Sequence, residues 1–351
     1  MSIPVPARPA LKVTQPAELI HAIPYLLGFH PHDSVVLVGI TGGDLRVTAR
    51  LDTADVARTS VLGSTLDAFV RGGVDRVIAV LYLPEHPAGH ADAAGGGAAL
   101  DPLARLAAAV DAVGVRLDDF LVVSDGRWCS ALCRESGCCP PGGTVLATCS
   151  SVAAEATYAG LVALPDRHSL EHLLDPAPVR ERLRPALHLH EQQAADPVRN
   201  GDRYDRSLVR ALCRAAREAE RRAGGVDGGV DGEAPGASRP AALTDEQVAR
   251  FGVALRRTPV RDAVWIAGEE GRIDGRMLWR DLAFRLPTPY DAAPLFLFGW
   301  ATWREGDGAL ASVAARRALE SDPDYSAADL LDAALAHGLD PRRMPRLRKR
   351  S

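Results

Sequence analysis

Lysine is almost missing from this chain. Lys12 and Lys349 are the only two in 351 residues, and arginine carries nearly all the positive charge. Aromatic residues are also sparse, at 5%. Together with abundant alanine, this bias reads as the imprint of a GC-rich genome rather than as a binding adaptation. Neither sign of charge is in large excess: the net charge of −4 exerts no general pull toward nucleic acid or anionic membranes. The longest apolar run near the C-terminus, Pro294 to Trp303, falls short of the ~20 residues a membrane span takes. The start, MSIPVPARPALKV, has no apolar core of the kind a signal peptide carries. The expectation is a cytoplasmic protein with no membrane association, where thiols stay reduced and disulfides are the less expected use of six cysteines. The phosphate loop, the dinucleotide fingerprint, the His-Glu-x-x-His helix and the Gly-x-Ser-x-Gly elbow are all missing too. This argues against the common nucleotide-dependent enzymes.

What the chain does have is order. Thr14, Pro16 and Glu18 mark a helix start, Leu19, Ile20, Ile23, Leu26 and Leu27 share one face, Pro24 predicts a kink or break, and Gly28 a stop. Ser34 to Ile40 is a β-branched core strand and Leu45 to Leu51 its hairpin return. A helix with Leu62, Leu66, Phe69 and Val70 inward leads to the strand Arg76 to Leu83. A glycine- and alanine-rich loop from Pro84 to Leu100 follows, then a helix from about Pro102 and the strand Asp119 to Ser124. Asp125-Gly126 signals a tight turn into Arg127 to Leu132. Helices alternating with core strands predict an α/β domain with a mixed sheet. Later periodicity is helical throughout, interrupted by the glycine-rich stretch at 224–240. The expected division is an α/β domain with a Cys-rich hairpin loop (1–165), a helical extension (166–223), a flexible linker (224–241), an all-helical domain (242–340) and a basic tail (341–351).

Residues 118–158 hold five of the cysteines: Cys129, Cys133, Cys138, Cys139 and Cys149. Cys133-x4-Cys138-Cys139 runs into Pro140, Pro141, Gly142 and Gly143, a tight turn that can aim sulfurs at one point, as zinc's tetrahedral sulfur and nitrogen ligation requires. The paired Cys-x2-Cys spacing is missing. The set is completed by Cys129 and Cys149 or by a histidine. With Ser34–Ile40 assumed parallel to Asp119–Ser124, the loop His30-Pro31-His32-Asp33 arrives at the edge where Cys133 leaves the sheet. Cys133, Cys138, Cys139 and His30 then form a candidate zinc site. The alternatives are buried packing thiols and a redox or nucleophilic thiol. His32 and Asp33 offer a general base beside the Ser34 hydroxyl, or simply a polar turn. Asp125, Arg127 and Trp128 offer a hairpin tip that stacks on a ligand, or a tryptophan that covers the sheet end.

Near the C-terminus, Gly299, Ala311, Ala318 and Pro323, with Leu295 and Phe298, match the spacing of one tetratricopeptide unit, although Thr302 and Ala315 stand at its aromatic positions. A lone unit must pack on neighbouring helices. The tail from Arg342 to Arg350 is basic; it reads as a solvated end, with nucleic acid the less favoured use.

The segments at 16–39 (PAELIHAIPYLLGFHPHDSVVLVG), 118–143 (DDFLVVSDGRWCSALCRESGCCPPGG), 151–160 and 293–331 together resemble the actinobacterial domain of unknown function 4192 family (DUF4192). The likeness runs nearly full length, outside the loop near residue 95 and the linker near residue 230. Cys133, Cys138 and Cys139 fall in the family's motif, whereas Cys129 and Cys149 fall outside it. The resemblance implies an actinobacterial origin and brings no established activity. The leading expectation is a non-enzymatic binding or scaffold protein whose C-terminal helices meet a protein partner. The runner-up is a hydrolase-like enzyme with its site between the His30–Asp33 and Cys133–Cys139 loops.

Overall fold

The computed structural model describes residues 12–83, 96–135, 137–140, 142–178, 180–196, 201–224 and 242–348. These fall into two compact units. One is α/β and holds residues 12–170 with Ala334–Asp340; the other is helical and holds Glu171–Ala333 with residues 341–348. The linker expected from Gly224 onward lies outside the described residues apart from Gly224 itself, as does most of the loop after Leu83.

In the α/β unit, helix α1 (Pro16–Leu27) starts where Glu18 Oε2 accepts from Thr14 N at 2.7 Å and Gln15 N at 3.2 Å. Gly28, at φ 81°, ends it. The break expected at Pro24 does not occur: the proline lies in the final turn, where its missing N–H removes a single bond. Strands β1 (Ser34–Thr41) and β2 (Asp44–Asp52) form the predicted hairpin. Then follow α2 (Thr53–Val56), α3 (Thr59–Arg71) and β3 (Arg76–Tyr82). Helix α4 (Gly96–Ala112) begins earlier than the expected Pro102, because the alanine-rich residues before the proline are themselves good helix formers. Strands β4 (Arg116–Ser124), β5 (Arg127–Ser130) and β6 (Thr144–Val145) and helix α5 (Ser151–Tyr158) complete the unit.

The sheet is six-stranded, in the order β2-β1-β3-β4-β5-β6, and only the β3–β4 pair is parallel. Strand β1 is antiparallel to β3, and therefore to β4. This overturns the parallel orientation assumed from sequence. The hairpin reverses the chain after β1, and the α2–α3 crossover returns it in the direction of β2, so β1 opposes both β3 and β4. One sheet face buries Val35, Leu37, Leu81, Phe120 and Val122 against Leu62, Leu66, Phe69 and Leu106 of α3 and α4. The opposite face carries Val36, Val38, Val80 and Leu121, all buried, on the side of the sheet away from α3 and α4. Helix α1 meets both α5 and β2.

The helical unit contains α6 (Arg167–His172, which begins at the end of the α/β unit), a 3-10 turn at Arg180–Leu183, α7 (Arg184–Ala195) and α8 (Asp202–Gly224). It continues with α9 (Asp245–Leu255), α10 (Thr258–Glu269), α11 (Arg276–Arg285), α12 (Ala292–Arg304), α13 (Gly308–Ser321) and α14 (Ser326–Ala336). The capping box anticipated for α9 is present: Thr244 N donates to Gln247 Oε1 at 2.9 Å, and Gln247 N to Thr244 Oγ1 at 3.2 Å. Helix α7 packs on α9, and α8 on α10 and α11, so the segment expected as a separate extension shares one core with the later helices. Helices α12 and α13 approach closely at Gly299, where a Cβ would stand 3.0 Å from Ala314 Cβ. Among the described residues no helix is long and apolar enough to cross a membrane.

The basic tail is not simply solvated. Glu269, buried at the end of α10, accepts from Trp300 Nε1 at 2.8 Å, Arg304 Nη2 at 3.0 Å and Leu347 N at 3.3 Å. Arg346 donates to the Glu269 carbonyl at 3.1 Å, and Arg304 reaches the carbonyls of Pro341 and Met344. The tail from 341 to 347 is thus tied down by a carboxylate that the sequence reading had not singled out.

Candidate functional sites

Two places in the α/β unit gather chemistry-bearing side chains. The first is the loop from β5 to β6. Ser130 Oγ, held by Asp119, accepts from Leu132 N at 3.2 Å and Cys133 N at 3.1 Å and so turns the chain off the strand. The Glu135 carbonyl then accepts from Cys138 N at 3.1 Å and Cys139 N at 2.8 Å, a tight turn that swings both cysteines back toward Cys133. Gly143 N donates to the Pro140 carbonyl at 2.8 Å, and Arg127 Nη1 clamps the carbonyls of Gly142 and Gly143 at 3.3 and 3.0 Å. The sulfurs of Cys133, Cys138 and Cys139 lie within 4.8 Å of one another. Bonding to Cys133, and then the charge of both neighbouring sulfurs, push the Cys138 thiol's pKa up. Thiolates this close are stable together only with a cation between them. All six cysteines are free; Cys129 belongs to the hydrophobic core, and Cys149 is exposed and apart from the trio.

His30 is not part of this cluster. Ser34 stands opposite Tyr82 and Tyr82 opposite Val123, so the loop His30–Asp33 lies at the end of the sheet where β4 finishes. Cys133 leaves from the other side of β4, beyond Ser130, which pairs with Leu121. The four-ligand set that included His30 rested on the parallel strand order and falls with it.

The second place is that end of the sheet itself, the carboxyl end of the parallel pair β3–β4, where open α/β sheets commonly bind ligands. Here the register brings together His30, His32 and Asp33 with Asp125, Arg127 and Trp128, two groups that the sequence analysis kept apart. The loop is anchored on both sides. His30 N donates to the Leu164 carbonyl at 2.9 Å, Arg50 Nη2 to the His32 carbonyl at 3.2 Å, and Thr53 Oγ1 to Asp33 Oδ1 at 3.0 Å. Surrounding protein, and then the charge of His32, hold the His30 imidazole below its ordinary pKa. Asp33 (φ 40°) and Asp125 (φ 49°) are the only non-glycine residues with positive φ among those described. Asp125 earns this in the predicted tight turn with Gly126; Asp33 does so at the entry to β1, a backbone strain of the kind that clusters at functional sites. Arg127 engages the Cys loop through its Nη1.

Sequence reasoning missed Tyr82 and Arg50. Each reads as an ordinary strand residue, and only the cross-strand register shows what it stands beside.

A family model described as domain of unknown function (DUF4192) matches residues 16–342. No curated protein and no solved structure matches the chain. The chain belongs to the DUF4192 family.

Proposed function

We propose that this member of the family is a non-enzymatic binding protein whose sheet edge is stapled by a metal ion on Cys133, Cys138 and Cys139. The observation that carries the reading is the convergence of three sulfurs within 4.8 Å of one another. Zinc is the ion whose preference for thiolates matches this donor set. Three protein sulfurs occupy three tetrahedral positions, and because Cys138 is exposed the fourth goes to water or to an added ligand. The staple has a structural use: β6 is only two residues long, and fixing the loop before it holds that strand on β5. The helical unit supplies the partner surface in this reading. Met277 and Phe284, two turns apart on α11, expose 45% and 46% of their area.

Metal analysis of protein purified under reducing conditions without chelator tests the staple. One equivalent of zinc is expected, with the three loop thiols protected until unfolding. Cobalt loaded in its place is expected to show thiolate charge-transfer absorption that Cys138→Ser abolishes. Cys133, Cys138 and Cys139 reacting freely in the folded protein, with no bound metal, would sink the reading. Capture experiments with Met277→Ser/Phe284→Ser as the control test the partner surface; a partner retained equally by both proteins would show that α11 is not the contact.

A further inference from the structure

Among the described residues, six buried side-chain atoms have no hydrogen-bonding partner: Ser34 Oγ, Arg50 Nε, Tyr82 OH, Trp128 Nε1, His190 Nε2 and Trp265 Nε1. Two of them are isolated in the helical unit, where His190 Nε2 lies 2.8 Å from Glu246 Oε1 but out of line for a hydrogen bond. The other four share one face of one sheet end. Directly paired residues project to the same side of a sheet. Ser34 pairs with Tyr82, Tyr82 with Val123 and Val123 with Trp128, while Arg50 pairs with Val36, the next same-face position along β1. Burial without a partner costs each group free energy, and native proteins seldom leave several such groups together. Ser34 is 0% and Tyr82 9% exposed, so solvent does not serve them from outside.

The shape of the row is also informative. Val123, in the middle of the sheet, retains partial exposure while the larger Tyr82 beside it is buried. Val123 thus has a large aromatic side chain on each neighbouring strand, Tyr82 on β3 and Trp128 on β5. The polar groups around it are of one kind. The Trp128 indole and the Arg50 Nε only donate, and the Ser34 and Tyr82 hydroxyls donate readily. Burial raises the Tyr82 pKa far above its ordinary value and keeps the phenol protonated. Arg50 is already paired with Asp52, its Nη1 lying 2.6 Å from Asp52 Oδ1, so no uncompensated cation dominates.

We infer that Tyr82 and Trp128, on the two strands flanking Val123, form a binding site for a small carboxylate-bearing organic molecule, its oxygens taking these two donors and its apolar body resting over Val123. This site is independent of the thiol staple.

Benzoate is the probe, titrated into full-length protein while the tryptophan indole N–H signals are followed by heteronuclear NMR, with Trp128 assigned from Trp128→Phe. A saturable displacement of the Trp128 signal is expected, with the Trp300 indole, already bonded to Glu269, unmoved. Tyr82→Phe is expected to weaken benzoate about tenfold, the loss of one buried donor, while the benzamide analogue binds more weakly to both proteins. Trp128→Phe, titrated by calorimetry, provides a second donor deletion should Tyr82→Phe fail to fold. No saturable displacement at millimolar benzoate, or binding that neither deletion weakens, would overturn the assignment and leave the row a site for buried water alone.

Discussion

The two units differ in where their unpartnered buried polar atoms lie: among the described residues four share one face at a sheet end of the α/β unit, whereas His190 Nε2 and Trp265 Nε1 lie apart in the helical unit. In the helical unit the most deeply buried carboxylate, Glu269, receives an indole, a guanidinium and a backbone amide, and Asp291 receives Arg180 and Ser321. In the α/β unit four donors are buried along one sheet end with nothing opposite them. The first pattern is what a fold does when polarity serves its own stability: each desolvated group is repaid internally. The second leaves the repayment to something outside the chain. The difference separates polar burial that holds a structure together from polar burial that awaits a ligand.

Removing Glu269 tests the first half of this comparison most severely. Glu269→Ala strands Arg304 and the Trp300 indole and releases the tail at Leu347. Breaking a buried ion pair from one side costs about 3–5 kcal/mol, and chemical denaturation is expected to show a loss of that order. A loss within error of zero would mean that the network is ornamental. Gly299→Val comes next. Its Cβ would meet Leu331 Cδ2 as well as Ala314 Cβ, both at 3.0 Å, and overpacking of this kind costs about 1–3 kcal/mol. An unchanged midpoint would show that α12 and α13 can separate freely.

A smaller effect is expected from Asp291, whose pKa burial raises despite the opposing pull of Ser321 and Arg180. A carboxyl with a raised folded pKa binds its proton more tightly in the native state, so it favours folding once protonated. That contribution is present below the unfolded pKa and is lost as pH rises through the folded one. Wild type should therefore gain stability relative to Asp291→Asn as pH falls from neutral toward the carboxylate range. A difference that stays constant or shrinks would contradict the sign.

How far the sequence revealed these features depended on how far apart their parts lie. The thiol trio was legible because Cys133, Cys138 and Cys139 fall within seven residues that run directly into the turn formers Pro140, Pro141, Gly142 and Gly143. The mixed sheet and the later helices were legible because periodicity is local. Strand direction was not: β1 could be parallel or antiparallel to β4 with the same pattern of Val, Leu and Ile, and assuming the wrong one moved His30 to the wrong edge. The donor row was beyond reach for the same reason. Residues 34, 50, 82 and 128 come to one face of one sheet end only once five strands are ordered and registered, and a one-residue slip would send each to the opposite face. Glu269 offered no signal at all, being one more acidic residue at a helix end until Trp300 and Arg304 close over it.

The finest discrimination between the two kinds of burial comes from a pair of hydroxyls. Thr302 Oγ1 is buried and donates to the Phe298 carbonyl at 2.7 Å, whereas Ser34 Oγ is equally buried and donates to nothing. Thr302→Val removes a satisfied bond and is expected to lower stability by about 1 kcal/mol. Ser34→Ala removes a group whose desolvation is unrepaid, so the change should be neutral or raise stability by up to about 1 kcal/mol. The informative quantity is the sign of the difference between the two variants, read from denaturant midpoints at equal slope. If Ser34→Ala proves as costly as Thr302→Val, an ordered water already satisfies Ser34 and the sheet end is structural. If it stabilises, the desolvation of the Ser34 hydroxyl is left uncompensated within the fold.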